Sequence, residues 1–171
     1  MKIIIRLIYK LFEFLPWAGT PMKVINYGFE IKGLERSGNF DEARKVRAEA
    51  LSSIPPSHQG PLLRSEGEDL LYRQKNYEGA LQIFEKAITA MQQSPALYGV
   101  SSPDHIYGGA AQAALLCNEI EKASKYYLEF SGMVENYSND PKLENNLEWH
   151  RKTLNFLESH PQVARMANKQ T

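Results

Sequence analysis

The chain has 171 residues, 43% hydrophobic and 23% charged, which suits one domain with a buried core. Lys plus Arg and Asp plus Glu each number 20, so no net field recruits a nucleic acid, and that class of partner is set aside. The single cysteine, Cys117, excludes an intrachain disulfide framework and fits a reducing, cytoplasmic setting.

Residues 1–17 read as an amphipathic helix with an unusually wide apolar face. Lys2, Arg6, Lys10 and Glu13 recur at intervals of four, four and three, and so share an arc of about 80°. The residues between them, Ile3, Leu7, Phe12 and Leu15 among them, are apolar. No run reaches the ~20 apolar residues that span a bilayer, and no small-residue cleavage site marks a secretory signal. So much apolar surface needs cover, and three kinds satisfy it. The helix packs in the domain's own groove, in a partner or second copy, or in a membrane interface with its cations reaching the headgroups. For the last two, Arg6, Lys10, Phe12 and Trp17 are the expected contacts. Leu15-Pro16-Trp17 ends the helix, because the residue before proline is biased away from helical geometry.

Three later segments align with one another: residues 37–51, 74–88 and 117–130. Each opens on a polar turn, followed by an apolar residue (Phe40, Tyr77, Ile120), two mostly polar residues and an alanine (Ala43, Ala80, Ala123). Further contact positions follow four and seven residues later: Arg47 and Ala50, Phe84 and Ala87, Tyr127 and Phe130. Spacings of three, four and seven lie on one helical face. The alanine leaves room for a preceding helix, and the residue four later, bulky in two of the three, fills the gap. Gly38-Asn39 is the strongest of the turn signals, with Lys75-Asn76 and Asn118-Glu119 weaker.

Upstream of each turn lies a second apolar-periodic stretch. Residues 21–36 carry Val24, Tyr27, Ile31 and Leu34. Residues 60–73 carry Leu63, Leu70 and Leu71. Residues 103–116 carry Ile106, Tyr107, Ala110, Ala111, Ala114 and Leu115. Thr20-Pro21 and Ser102-Pro103 place a capping hydroxyl before a proline, a good helix start. Each unit is therefore helix, tight turn, helix, and the fold class is all-α.

These residues resemble the tetratricopeptide repeat family, over roughly residues 21–130. Its alanine-x3-aromatic pattern is met best at Ala80 and Phe84; Arg47 stands where the first repeat should have the aromatic, and the family's Trp and Leu-Gly pair are missing from the first helices. Ala43 to Ala80 is 37 residues and Ala80 to Ala123 is 43, longer than the usual 34 or so. The longer spacing, with a loop over residues 94–101, is similar to repeats of the kinesin light chain type, as are Pro103-Asp104 and Asp140-Pro141 ahead of Asn145-Asn146-Leu147. The resemblance implies a right-handed α-α superhelix of about three helix pairs, at about residues 21–55, 60–93 and 103–137, within a repeat domain spanning 21–160. The N-terminal helix precedes it, a capping helix covers residues 141–159, and a polar tail runs from 161 to 171.

Chemistry is sparse. His58, His105, His150 and His160 have no second ligand at metal spacing and read as isolated surface or loop histidines, so no metal and no cofactor are expected. Cys117 reads as a small buried hydrophobe beside Leu115 and Leu116. Gly108-Gly109 falls inside a helix, where close helix approach explains it better than phosphate binding. Enzyme is the weakest class.

The resemblance implies instead a concave face, lined by the first helix of each pair, that takes an extended peptide or a helix. The matching positions are Ile25, Gly28, Phe29, Lys32 and Arg36 in the first repeat. Leu62, Ser65, Glu66, Asp69, Tyr72 and Arg73 follow in the second, and His105, Gly108, Gly109 and Gln112 in the third. Glu66 falls in the clamp with which some family members hold a chaperone's terminal carboxylate and would repel it, so that ligand is rejected. The expectation is a non-catalytic protein–protein interaction scaffold, an adaptor or regulatory subunit. The alternative is a peripheral membrane protein anchored through residues 1–17, its repeats recruiting a partner.

Overall fold

The computed structural model describes residues 19–94, 102–137, 144–163 and 165. The helix expected over residues 1–17, the loop over 95–101 and the start signal at Asp140-Pro141 lie outside them. All regular structure among the described residues is helical. In chain order these are α1 (Gly19–Arg36), α2 (Phe40–Ser53), a 3-10 turn (Pro56–His58), α3 (Gly60–Glu68) running on as a π-helical turn (Asp69–Gln74), α4 (Tyr77–Gln93), α5 (Pro103–Leu116), α6 (Ile120–Tyr137) and α7 (Glu144–Glu158). No helix among them is long and apolar enough to cross a membrane.

The three expected turns share one construction. Gly38, Lys75 and Asn118 each take a left-handed backbone, at φ 78°, 56° and 62°. The next residue then bonds back into the helix just ended: Asn39 N–H to Leu34 O at 2.9 Å, Asn76 to Leu70 at 3.0 Å, and Glu119 to Ala114 at 2.8 Å. This is the Schellman closure, which satisfies carbonyls orphaned at a helix end. That same residue accepts the first bond of the following helix from Ala43, Ala80 or Ala123. The three alanines are at most 1% exposed. Asn76 adds a side-chain cap, its Oδ1 accepting from Gly79 N–H at 3.0 Å.

The turns differ in one respect. The middle closure spans six residues and the other two span five, because Asp69–Gln74 winds as a π-turn holding one extra residue. Side chains beyond that point are rotated from where a regular helix would carry them.

The chain divides into two compact units, Met1–Glu66 with Lys86–Ser101 and Gly67–Glu85 with Ser102–Thr171. In the first, α1 packs on α2 around Val24, Ile31, Ala43, Ala50, Ile54 and Leu62, with Tyr27, Leu34, Val46 and Leu51 half-buried about them. Burying one such large aliphatic side chain stabilises by roughly 1.5–3 kcal/mol. Gln59 closes the end of α2, its Nε2 donating to Leu51 O at 2.8 Å and Ile54 O at 2.7 Å. Arg47, four residues after Ala43 on the same helical face, is 3% exposed. Its Nη2 lies 2.7 Å from Glu35 Oε1 and donates to Ser65 Oγ at 3.1 Å.

In the second unit α5 is buried nearly all round, and its small residues are what permit this. A Cβ built on Gly109 would stand 2.7 Å from Phe84 Cε1, and one on Gly67 2.8 Å from the same atom. The Phe84 ring is thus clasped between two helix backbones. The helix before the middle turn thus carries a packing glycine, Gly67, ahead of the π-turn. The last helix, α7, packs on α5 and α6 through His150, Thr153 and Leu157. Past it, in the segment read as a polar tail, Val163 is fully buried. Two expected hydroxyl caps are corrected. Thr20 lies inside α1, which is already helical at Gly19, and Ser102 is an N-cap whose hydroxyl makes no capping bond.

Candidate functional site

Eight of the fifteen expected groove residues fall in the first unit. Phe29, Lys32 and Arg36 are exposed on α1, and Ser65 and Glu66 are half-buried on α3. Ile25, Gly28, Phe29, Lys32, Leu62 and Ser65 line one cavity of about 150 Å³, floored by Val24 and Ile31 and closed by Pro61 and Arg64. The intervals of three and four on α1 bring its share together, and α3 supplies the opposite wall. Phe29 is 49% exposed, a large apolar ring at the mouth of an apolar cleft. A larger cleft of about 330 Å³, between α1 and α2, is lined by Lys23, Asn26, Tyr27, Glu30, Val46, Glu49 and Ser53, none of them an expected site residue.

The other seven fall in the second unit, where packing has engaged most of them. Gln112 Nε2 donates to Tyr72 Oη at 3.0 Å and to Thr153 Oγ1 at 3.2 Å, tying α5 to the π-turn and to α7. Tyr72 is 39% exposed overall. Its hydroxyl is nonetheless desolvated, which pushes its pKa up to about 12. Arg73 is exposed and pairs with Asp69 at 2.7 Å. Asp69, expected on the groove, is instead 5% exposed and accepts from Gln74 Nε2 at 2.6 Å. Gln74 and Arg73, from the same π-turn, close over its carboxylate. Gly108 and Gly109 are likewise packing positions: a Cβ on Gly108 would meet Trp149 Cη2 at 2.7 Å.

The histidines are the main correction. His105 and His150 are not isolated. His150 is buried, with Nε2 2.6 Å from Asp104 Oδ2. His105 stacks on Trp149, ring centroids 4.1 Å apart and planes 9° apart, and puts Nδ1 3.5 Å from Glu68 Oε1. One donor atom from each of Asp104, His105 and His150 lies within 4.8 Å of the others. The signal was absent from the sequence because a one-residue step within α5 and a jump of 45 residues to α7 match no metal spacing.

Cys117 is half-buried at the end of α5, more open than a core residue. Desolvation, then Glu119 and Glu78, push its thiol pKa up, the wrong direction for a thiolate nucleophile.

Three tyrosines predict an alkaline limit. Tyr72, Tyr126 and Tyr127 all have pKa values pushed up to about 12, by burial first, and for the last two by hydrogen bonds to Glu85 and Glu158. An unfolded tyrosine titrates near 10. The folded state favours the neutral phenol, so this contribution is complete below pH 10 and is lost as pH rises from 10 to 12. Urea midpoints should fall across that window, and less steeply for Tyr126→Phe. A midpoint that stays flat to pH 12 would refute the assignment.

Searches against protein-family models, curated proteins and solved structures match nothing to this chain, so its function is argued from its own geometry.

Proposed function

We propose that this chain is a tetratricopeptide-like, non-catalytic interaction module, an adaptor or regulatory binding subunit that takes a protein or peptide partner on the faces of its first helices. The observation that carries this reading is the threefold repetition of one turn: a left-handed residue, a Schellman closure, then a buried alanine in the next helix. Helix pairs built to one pattern stack and leave their first helices in a row, the arrangement that suits an extended peptide or a helix. The apolar cleft around Phe29, rimmed by Lys32, offers an anchor pocket with a cation at its edge.

Full-length bait should capture a specific partner from the native cell. Phe29→Ala should then weaken that partner's binding at least about tenfold, as loss of an aromatic anchor does. Its melting temperature should barely move, because the ring is half exposed. Affinity unchanged by Phe29→Ala and Lys32→Ala together would move the site off this cleft.

A further inference from the structure

We propose that Asp104, His105 and His150 form a binding site for a zinc-type divalent cation, because two helices bring two imidazoles and a carboxylate to a single point. The donor chemistry selects the ion. Two nitrogens and one oxygen suit zinc and its first-row neighbours, whereas magnesium and calcium prefer oxygens alone. Three protein ligands with one side open is also how a zinc ion keeps a coordination position for water.

The donor separations bracket those of a tetrahedral zinc site. Donors about 2.0–2.1 Å from a tetrahedral zinc lie roughly 3.3 Å from one another. Asp104 Oδ2 is 2.6 Å from His150 Nε2 and 3.9 Å from His105 Nε2, so the two gaps straddle that value. The two imidazole donors lie within 4.8 Å of each other, so the widest gap closes by at most about 1.5 Å.

Neighbours hold the ligands in place. Adjacent residues on a helix point about 100° apart, so Asp104 and His105 do not ordinarily converge. Here the Trp149 indole holds the His105 ring flat against it. Glu68 stands at the Nδ1 side of that ring, 3.5 Å away, which favours a proton on Nδ1 and leaves Nε2 as the ligating atom. A carboxylate behind a ligating histidine is the usual outer partner at zinc sites. His150 is wedged edge-on against Phe130 and Trp149, with centroids at 5.8 and 5.6 Å, so its ring has little freedom to swing away. The His105 side chain is 19% exposed, against 2% for His150 and 6% for Asp104, so the open side is that of His105.

The test is a zinc chloride titration of the untagged full chain against a chromophoric chelator. One equivalent should bind, and excess magnesium should not displace it. His105→Ala should weaken zinc at least about tenfold with the circular dichroism spectrum unchanged, and Glu68→Gln should weaken it about tenfold through the outer shell. Cobalt loaded in place of zinc should show visible absorption that changes with His105→Ala. Cys117→Ser, at the opposite end of α5, and His160→Ala, beyond the end of α7, should leave affinity unchanged. Absence of stoichiometric uptake would overturn the proposal. So would uptake that persists in both His105→Ala and His150→Gln, or that disappears with Cys117→Ser or His160→Ala.

Discussion

Phe84→Ala is expected to lower the unfolding free energy by about 3–5 kcal/mol, the range for emptying a core aromatic. The ring is fully buried and clasped between Gly67 and Gly109, so the vacated space is lined by helix backbone that cannot relax inward. The same geometry forecasts the reverse insult. Gly109→Ala puts a methyl group 2.7 Å from Phe84 Cε1, and overpacking should cost about 1–3 kcal/mol. The two changes should be coupled, so Gly109→Ala should cost much less on a Phe84→Leu background. Urea melts of the two single variants and the double variant measure this. Additive penalties would mean that Phe84 does not hold α5 in place.

The second large effect is an asymmetry around Arg47. Its guanidinium is buried against Glu35 and Ser65, and its Nε is buried with no acceptor among the described residues. Removing one partner from a buried pair costs about 3–5 kcal/mol because a charge is left behind. The Glu35 side chain is 29% exposed, which lets water reach the pair, so Glu35→Ala should cost less, about 2–3 kcal/mol. Arg47→Met removes the charge itself and refills the space, and should stay within about 1 kcal/mol of the parent. Equal losses in the two variants would show that the ion pair, and not the filling of an apolar slot, stabilises this helix pair.

That arginine illustrates what a local reading misses. The interval from Ala43 marked position 47 as a contact, and it is one, the buried charge being neutralised by Glu35 on α1 and hydrogen-bonded to Ser65 on α3. Asp69 shows a second kind of miss. A face assignment along residues 60–73 assumes a constant rotation per residue, and the π-turn breaks that assumption from Asp69 onward. The closure at Leu70, one residue longer than its two counterparts, is the mark of the inserted residue. No local signal in this sequence announced it. The histidines are a third kind, since His105 and His150 are 45 residues apart and meet only because α7 packs on α5.

The sequence by itself determined the helices, the three turns and the alanine register, because each depends on residues within about one turn of one another. Left-handed backbone at Gly38, Lys75 and Asn118, helix restart two residues later, and a buried alanine three residues into the new helix are consequences of helical geometry. Only the tertiary structure decided which exposed-looking positions stay at the surface and which are covered. Phe29 and Lys32 are exposed beside the cleft between α1 and α3. Gly108, His105 and Gln112 have the same helical spacing but are covered by Trp149, Thr153 and the rest of α7. Whether a helical face meets solvent or another helix depends on elements far along the chain, and a period of 3.6 residues carries no record of them.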